Sequence, residues 1–87
     1  MKEEKLGKQV GIIQGYYSHV GVGIIKVEAP IKKGDKIRVK GHTTDFEQKI
    51  ASIQIQHKDI EKAKKGDEIG LKLKDKVRPN DKVYLQG

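Results

Sequence analysis

Few residues in this chain have the type and spacing that catalysis would need. The glycines of the segment GVG, at positions 21–23, are not followed by the Lys-Ser/Thr pair or the helical pattern of a nucleotide phosphate loop. Neither Ser18 nor Ser52 lies in a Gly-x-Ser-x-Gly motif, which marks the nucleophile of many serine hydrolases. The sequence therefore predicts neither nucleotide hydrolysis nor serine-hydrolase chemistry.

The histidines do not form a recognisable metal-binding pattern. His19, His42 and His57 lie far apart, none has a histidine four residues away, and the chain has 0 Cys to complete a site. We therefore expect no metal site and no resident cofactor. The protein is predicted not to be an enzyme by itself.

The first candidate binding patch follows from strand alternation. Ile53 and Ile55 are expected to enter the core, so Gln54 should point outward, with His57 and Lys58 following at the end of the strand. An amide, an imidazole ring and an ammonium group could together hold one nucleotide by hydrogen bonding, stacking and phosphate contact. Ordinary solvation of a strand end is the competing interpretation.

The second candidate patch lies in the segment GHTTDFEQ, which begins at position 41. Thr43, Thr44 and Asp45 fall between two predicted strands, where binding residues are often found. The structural alternative is that Thr44 and Asp45 form a hydrogen-bonded turn and that Phe46 fills the core. Both interpretations stay open on the sequence alone.

A third group of residues, Tyr16, Tyr17 and His19, marks the first connection between strands. Aromatic rings at such a position can stack on bases. They can equally cover the end of a barrel, with the ring packed and the polar tip in water.

The elements that must position these residues are β-strands. Apolar and polar residues alternate at Ile69–Leu73, Ile37–Val39 and Val83–Leu85, with the period of two that a half-buried strand shows. Three longer segments are rich in β-branched residues and are also predicted strands: Gln9–Tyr17, Val20–Glu28 and Phe46–Gln56. Six strands result, and only Asp59–Lys65 is predicted to form a short helical connector.

Two of the long segments change phase. Val22 and Ile24 share one parity, whereas Ile25 and Val27 share the other, and a similar change occurs within 46–56. A β-bulge in each strand would resolve the conflict, and bulges bend and twist strands as barrel closure requires. We therefore expect an all-β fold, a closed six-stranded antiparallel β-barrel.

A short motif recurs three times, as KKGDKIRV, KKGDEIGL and RPNDKVYL. Each copy places a residue that tolerates positive φ before an aspartate and then an alternating strand: Gly34-Asp35, Gly66-Asp67 and Asn80-Asp81. Each aspartate is predicted to accept hydrogen bonds from turn N–H groups. The alternative, three aspartates sharing a metal, is less economical because turn formation explains each one locally.

Charge narrows the class of partner. The chain has 19 Lys and Arg against 12 Asp and Glu, a formal charge of +7, which favours a polyanionic partner. The same composition also matches the charged, chemically durable surfaces of thermophile proteins. The absence of Cys and of a long apolar run predicts a cytoplasmic protein without a membrane segment. We expect a flexible, charged N-terminus at 1–6, one barrel domain at 7–87, and a monomer.

The order of the segments resembles a known family. APIKKGDKIRVKG, then KIASIQIQHKDIEKAKKGDEIGLKL, then RPNDKVYL is similar to the second domain of translation-factor GTPases of the elongation factor Tu type. GHTTDF resembles more closely the small C-terminal barrel of U32-family peptidase-like proteins, several of which act in RNA modification. The resemblance implies a translation-protein type barrel that stands alone here. It also implies that Gln54 and His57 occupy positions where the elongation factor has a Glu and an Arg near the tRNA terminal adenosine.

These observations lead to two expectations about function. The first is a non-catalytic RNA-binding module, for tRNA or rRNA, linked to translation or RNA modification, in which Lys and Arg position the phosphates. The alternative is a protein-interaction module that docks onto a U32-like enzyme or a translation GTPase.

Overall fold

The computed structural model describes residues 7–56 and 58–86, and every regular element in that part of the chain is a β-strand. The strands are β1 (Gln9–Tyr17), β2 (Val22–Val27), β3 (Ile31–Lys32), β4 (Lys36–Lys40), β5 (Asp45–Lys49), β6 (Ile53–Ile55), β7 (Lys58–Ile60), β8 (Lys62–Ala63), β9 (Glu68–Lys72) and β10 (Lys82–Gln86). The all-β prediction is confirmed. The predicted flexible segment at 1–6 lies outside the described residues.

Eight of the strands form one antiparallel sheet in the order β5-β4-β10-β1-β2-β9-β6-β7, and β3 pairs with β8 in a separate two-stranded ribbon. Within the described residues, the strand ladder ends at β5 on one side and at β7 on the other. No helix in the same residues is long and apolar enough to cross a membrane.

The predicted strand 46–56 is divided into two. β5 pairs with β4, whereas β6 pairs with β9 and β7, so the two halves lie at opposite ends of the strand order. Ile50, in the short connection between them, is buried in the core. The phase change seen in the sequence is therefore a break between strands and not a bulge.

A side-chain amide links β5 to the far end of β9. Gln48 Nε2 donates to the Lys72 carbonyl oxygen at 2.8 Å, and Gln48 Oε1 accepts from the Lys74 N–H at 2.8 Å. The amide thus offers the backbone at the end of β9 one donor and one acceptor, as a residue of a neighbouring strand would. It joins the edge strand β5 to the end of β9, which is separated from β5 by four strands in the strand order.

The second predicted bulge lies in the neighbouring strand. β2 runs in unbroken register against β9, and the register shift occurs in β1, between Ile13 and Gly15. Ile25 and Val27 consequently face inward along β2, while Val22 and Ile24 face outward and are only partly buried. The bulge predicted in β2 is wrong, because the register shift lies in β1. Val22 and Ile24 therefore place two apolar side chains on the outer face.

The predicted helical connector at 59–65 is also wrong. This segment forms β7 and β8, and Ala63 pairs with Ile31 in the small ribbon. Ala63 is buried and Ile60 packs against the core, but the backbone that carries them is extended. Pairing with β3 stabilises the extended backbone of β8, whereas a single turn of helix is only marginally stable.

The core itself is aliphatic, as the composition predicts. Its largest fully buried side chains are Ile13, Ile25, Ile37, Ile53, Ile69, Leu71, Val10, Val27, Val39 and Val83. β-branched residues of this kind pack well on a pleated surface, which explains a sheet with little aromatic content.

The three repeated turns form as predicted. Gly34, Gly66 and Asn80 have φ values of 91°, 96° and 78°. In each turn the aspartate carboxylate accepts from the N–H three residues earlier: Lys32 to Asp35 at 3.0 Å, Lys64 to Asp67 at 3.0 Å and Arg78 to Asp81 at 2.9 Å. The backbone N–H of the same aspartate donates back to that residue in all three turns. Local turn chemistry therefore accounts for all three aspartates.

Each turn also holds one buried aliphatic residue, in or directly after a neighbouring strand, through two backbone hydrogen bonds. Gly34 N–H donates to Ile50 O at 2.9 Å and Ile50 N–H to Asp35 O at 2.8 Å; Gly66 N–H donates to Val27 O and Val27 N–H to Asp67 O, both at 2.8 Å; Asn80 N–H donates to Ile13 O and Ile13 N–H to Asp81 O, both at 2.8 Å. We call these pairs of bonds the turn clamps. They extend the β4–β5, β9–β2 and β10–β1 ladders by one residue pair each.

The first turn carries an additional charge interaction. Partial burial raises the pKa of Asp35, but hydrogen bonds from the Lys32 ammonium group and N–H, together with the Lys32 charge, lower it by more. The net pKa of Asp35 is therefore below its ordinary value of 3.8. The ammonium nitrogen lies 2.8 Å from the carboxylate.

Asp35→Ala should lower the free energy of unfolding at pH 7 by about 1 to 2 kcal/mol, because the turn loses its hydrogen-bond acceptor. Since the folded-state pKa of Asp35 is depressed, its stabilisation is present above the ordinary pKa and is lost as pH falls through the folded-state value. Urea unfolding at several pH values measures the difference from wild type, with Asp59→Ala as a control for charge loss. A difference that stays constant down to pH 2 would contradict this assignment.

Gln48→Ala should destabilise the fold by about 0.5 to 1.5 kcal/mol for each of the two hydrogen bonds it removes. Urea unfolding followed by circular dichroism measures the change. Gln54→Ala is the matched control, because Gln54 is exposed and its side-chain amide donates to another exposed side chain, Asp59. Equal effects of the two substitutions would show that the Gln48 amide is not a structural link.

Candidate binding surfaces

Three surfaces result from this arrangement. Two contain the residues singled out in the sequence, and the third was not anticipated. None contains a metal cluster: no group of three or more His, Cys, Asp or Glu side chains suited to a metal ion occurs within residues 7–56 and 58–86.

Gln54 lies on the outer face, as predicted. Ile53 is fully buried, Ile55 is partly buried against the core, and Gln54 is exposed. Gln54 Nε2 donates to Asp59 Oδ1 at 3.2 Å across the β6–β7 pair. Lys58 is exposed at the start of β7, whereas His57 lies outside the described residues. A nucleotide site formed by the three residues stays a prediction.

Gln54 lines a groove that is mainly apolar. On the outer face of β1, β2, β9 and β6, a groove of about 460 Å³ is bounded by Tyr17, Val20, Val22, Ile24, Gln54, Gln56 and Gly70. We call it the apolar groove. Tyr17 is 54% exposed and Val20 is 48% exposed.

Gly70 lies across the sheet from Ile24 and keeps the groove open. A methyl group at Gly70 would come 3.2 Å from Val22 Cγ1 and 4.0 Å from Ile24 Cδ1. By contrast, a methyl group at Gly15, on the other side of Ile24, would meet no atom within 4 Å. An added methyl group would therefore narrow the groove at Gly70 but not at Gly15.

The second predicted patch is largely structural. Thr44 is buried, and its carbonyl accepts from Gly41 N–H at 2.7 Å, which closes the turn. Gly41 passes so close to Asp81 that a Cβ would overlap the carboxylate. The structure thus favours the turn interpretation of this segment, although Thr43, Thr44 and Asp45 also line a cavity of about 320 Å³ with Arg78 and Lys76.

Asp45 is engaged by arginine. Arg38 Nε and Nη2 donate to its two carboxylate oxygens at 2.8 and 3.0 Å. These hydrogen bonds, assisted by the Arg38 and Lys40 charges and opposed by partial desolvation, hold the pKa of Asp45 below its usual value. Asp45 therefore carries a firm negative charge at the start of β5.

The third surface lies on β4 and β10. Ile37, Val39 and Val83 are fully buried, so the alternating residues of these paired strands face outward. Five of these outward residues, Lys36, Arg38, Lys40, Lys82 and Tyr84, form what we call the basic face; the sixth, Gln86, lies opposite Lys36. Lys40 lies opposite Lys82, and Arg38 lies opposite Tyr84.

Neither the apolar groove nor the basic face can be recognised as a unit in the sequence. The phase conflict in 20–28 was the signal for the groove, but it was interpreted as a bulge. The alternation in KIRVK predicts the outward residues of one strand of the basic face, and the alternation in DKVYLQ predicts those of the other. Their pairing depends on the β4–β10 register, which single-strand patterns do not contain.

Comparison with known proteins gives the context of this fold. The chain is 42% identical over 78 residues to an uncharacterized protease of Methanocaldococcus jannaschii, covering 88% of this chain and 19% of that protein. It is 39% identical over 71 residues to a collagenase of Porphyromonas gingivalis, covering 79% of this chain and 20% of that protein. The chain spans about a fifth of the length of the curated relatives it matches. No protein-family model matches it.

Solved structures identify the same fold. The C-terminal domain of a Geobacillus thermoleovorans protein assigned to the U32 peptidases superposes with a TM-score of 0.87 at 17% identity, covering 99% of this chain and 100% of that domain. The selenomethionine form of the domain gives 0.85 at 19% identity, covering 88% and 98%. This chain has the fold of that C-terminal domain. The U32 part of the sequence resemblance is thus supported, and the translation-factor part stays a prediction.

The neighbouring isoleucines of β2 provide a test of the outward-facing groove. Ile25→Ala should lower the free energy of unfolding by about 2 to 5 kcal/mol, because Ile25 is 0% exposed. Ile24→Ala should lower it by less than about 1 kcal/mol, since that side chain faces the groove. Urea unfolding of both variants measures the difference. Similar losses would show that both side chains belong to the core.

Proposed function

We propose that this chain is a non-catalytic docking module that binds the peptidase portion of a U32-type enzyme through the apolar groove. The observation that carries the proposal is an apolar groove on the outer face of a fold that matches only about a fifth of its protease relatives. The peptidase chemistry belongs, in this proposal, to the partner.

The exposure of the groove supports a protein partner. Tyr17 and Val20 are the exposed large hydrophobic residues of the described chain, and both line the groove where β1 ends and turns into β2. Contiguous exposed apolar surface on a small domain commonly marks an interaction site, and tyrosine is frequent among the residues that dominate binding energy. Water released from Val22 and Ile24 would add to the driving force.

The identity of the partner is argued from the relatives. About four-fifths of each relative lies outside the segment that this chain matches. In those proteins the matching segment is therefore a small part of a much larger protease. In this proposal, the peptidase portion of a U32-type enzyme is the partner that covers the apolar groove. The translation-GTPase partner expected from the resemblance has no comparable support in these relatives.

The proposal includes the shape of the domain. We infer that the sheet curves into a closed barrel, in which β5 and β6 act as two halves of one strand. Two features support this: only three residues separate β5 from β6, and the Gln48 amide bonds the backbone at the end of β9. A closed barrel removes sheet edges and would present the groove on a rigid wall.

RNA binding at Gln54, His57 and Lys58 is the second candidate, and it shares part of the groove. The exposed ring of Tyr17, which lines the same groove as Gln54, is the observation that favours it, because a base could stack there. The aliphatic remainder of the groove fits a protein side chain better than a nucleotide.

The test uses the M. jannaschii relative without the fifth of its chain that this protein matches. Isothermal titration calorimetry should show binding with a negative heat-capacity change, as burial of apolar surface requires. The double substitution Tyr17→Ala/Val20→Ser should weaken binding at least tenfold, since truncating an aromatic residue that is buried on binding has a large effect. Gly70→Ala should weaken it too, by narrowing the groove.

Gly15→Ala is the matched control, because it adds the same methyl group to the same face in open space. Thermal unfolding checks that each variant is folded. Absence of binding by the wild-type chain, or equal affinity of the Tyr17→Ala/Val20→Ser variant, would contradict the proposal. Binding of an oligonucleotide that is lost in Gln54→Ala, with no protein binding, would favour the second candidate.

A further inference from the structure

We propose that the basic face binds single-stranded nucleic acid, at a site separate from the apolar groove. The proposal stands independently of protein docking, because the basic face lies on β4 and β10 and the groove on β1, β2, β9 and β6. It also places nucleic-acid binding away from Gln54, His57 and Lys58.

Strand geometry spaces the cations of the face. Lys36, Arg38 and Lys40 alternate along β4, so neighbouring members are about 6.6 to 6.8 Å apart along the strand. This spacing is close to the separation of successive phosphates in an extended nucleic-acid strand. Lys82, opposite Lys40 on β10, widens the row at one end. The arrangement can therefore follow a sugar-phosphate backbone over two or three nucleotides.

Tyr84 supplies a surface for a base. It is the cross-strand neighbour of Arg38, and its flanking residues Val83 and Leu85 face the core. The partly exposed ring thus lies beside the row of cations. Bases stack on aromatic rings of this kind only when they are unpaired, which is why the ligand is a single strand and not a duplex.

Acidic residues limit the face on one side. Asp45 and Glu47 on β5 lie opposite Lys40 and Arg38, and Arg38 is bonded to Asp45 at 2.8 and 3.0 Å. Lys36 lies 3.5 Å from Glu47. The arginine is therefore held in place by its carboxylate, and β5 repels phosphate. A polyanion would accordingly lie along β4 and β10 and not extend across β5.

The test measures fluorescence anisotropy of a labelled 12-nucleotide oligouridylate at low salt, with the full chain. The triple substitution Lys36→Gln/Lys40→Gln/Lys82→Gln should weaken binding at least tenfold. It should also reduce the salt dependence by about 2 in the log–log slope, from about 0.7 per lost phosphate contact on single strands. The matched control is Lys62→Gln/Lys64→Gln/Lys65→Gln, which also lowers the formal charge of +7 by three, but at exposed positions outside the basic face. It should change the affinity less than threefold.

Tyr84 provides an independent readout. Tyr84→Leu should weaken oligouridylate binding by about 5- to 150-fold if one base stacks on the ring. Tyr84→Phe should keep most of the affinity, because the ring remains. Circular dichroism and thermal unfolding check the fold of each variant, and Lys36→Gln/Lys40→Gln/Lys82→Gln keeps the test decisive if Tyr84→Leu does not fold.

Four results would overturn the inference. The first is no binding by the wild-type chain at low salt. The second is an equal loss of affinity in both lysine triples, which would assign binding to net charge alone. The third is competition by poly-glutamate as effective as competition by oligouridylate at equal charge, which would show that the face recognises acidic polypeptide. The fourth is a Tyr84→Phe variant as weak as Tyr84→Leu.

Discussion

The turn clamps are the constraint on which the rest of the structure depends. Ile13, Val27 and Ile50 are buried, so their backbone N–H and C=O groups must find partners inside the protein. Each finds both in a single turn, through the N–H of the positive-φ residue and the carbonyl of the following aspartate. The aspartate carboxylate in turn holds the start of that turn. Register in the three main strand pairs is thereby set at their ends.

Register decides which residues can become a site. Once Asp67 bonds to Val27, β2 and β9 pair so that Ile25 enters the core and Ile24 lies beside Gly70 on the outside. The clamp at Asp81 similarly fixes the pairing of β10 with β1, because it holds Ile13 next to the register shift in β1. A one-residue slip in either pair would exchange inner and outer faces. The apolar groove and the basic face therefore both depend on the same small turns.

The sequence was informative where structure is local. The turns at Asp35, Asp67 and Asp81 follow from adjacent residues, and they formed as predicted. Gln54 was correctly placed outward by the parity of its own strand. Errors arose where a distant partner decides the outcome: pairing with β9 and β1 fixes which face of β2 is buried, and the pairing of Ala63 with Ile31 replaces a helical turn. For the same reason, no single-strand pattern could place Tyr17 and Gln54 on one groove, or Lys82 opposite Lys40.

The small size of the domain explains why its candidate sites are spread over several strands. A five-residue strand such as β4 or β10 gives its inward positions to the core, and only two or three side chains remain outside. A surface large enough to bind a partner must then combine outward positions from adjacent strands. Sites of this kind change when a single outward residue changes, while the clamps and the aliphatic core stay intact. One fold can therefore carry different partners in different proteins, and function must be argued from outward side chains and not from the fold itself.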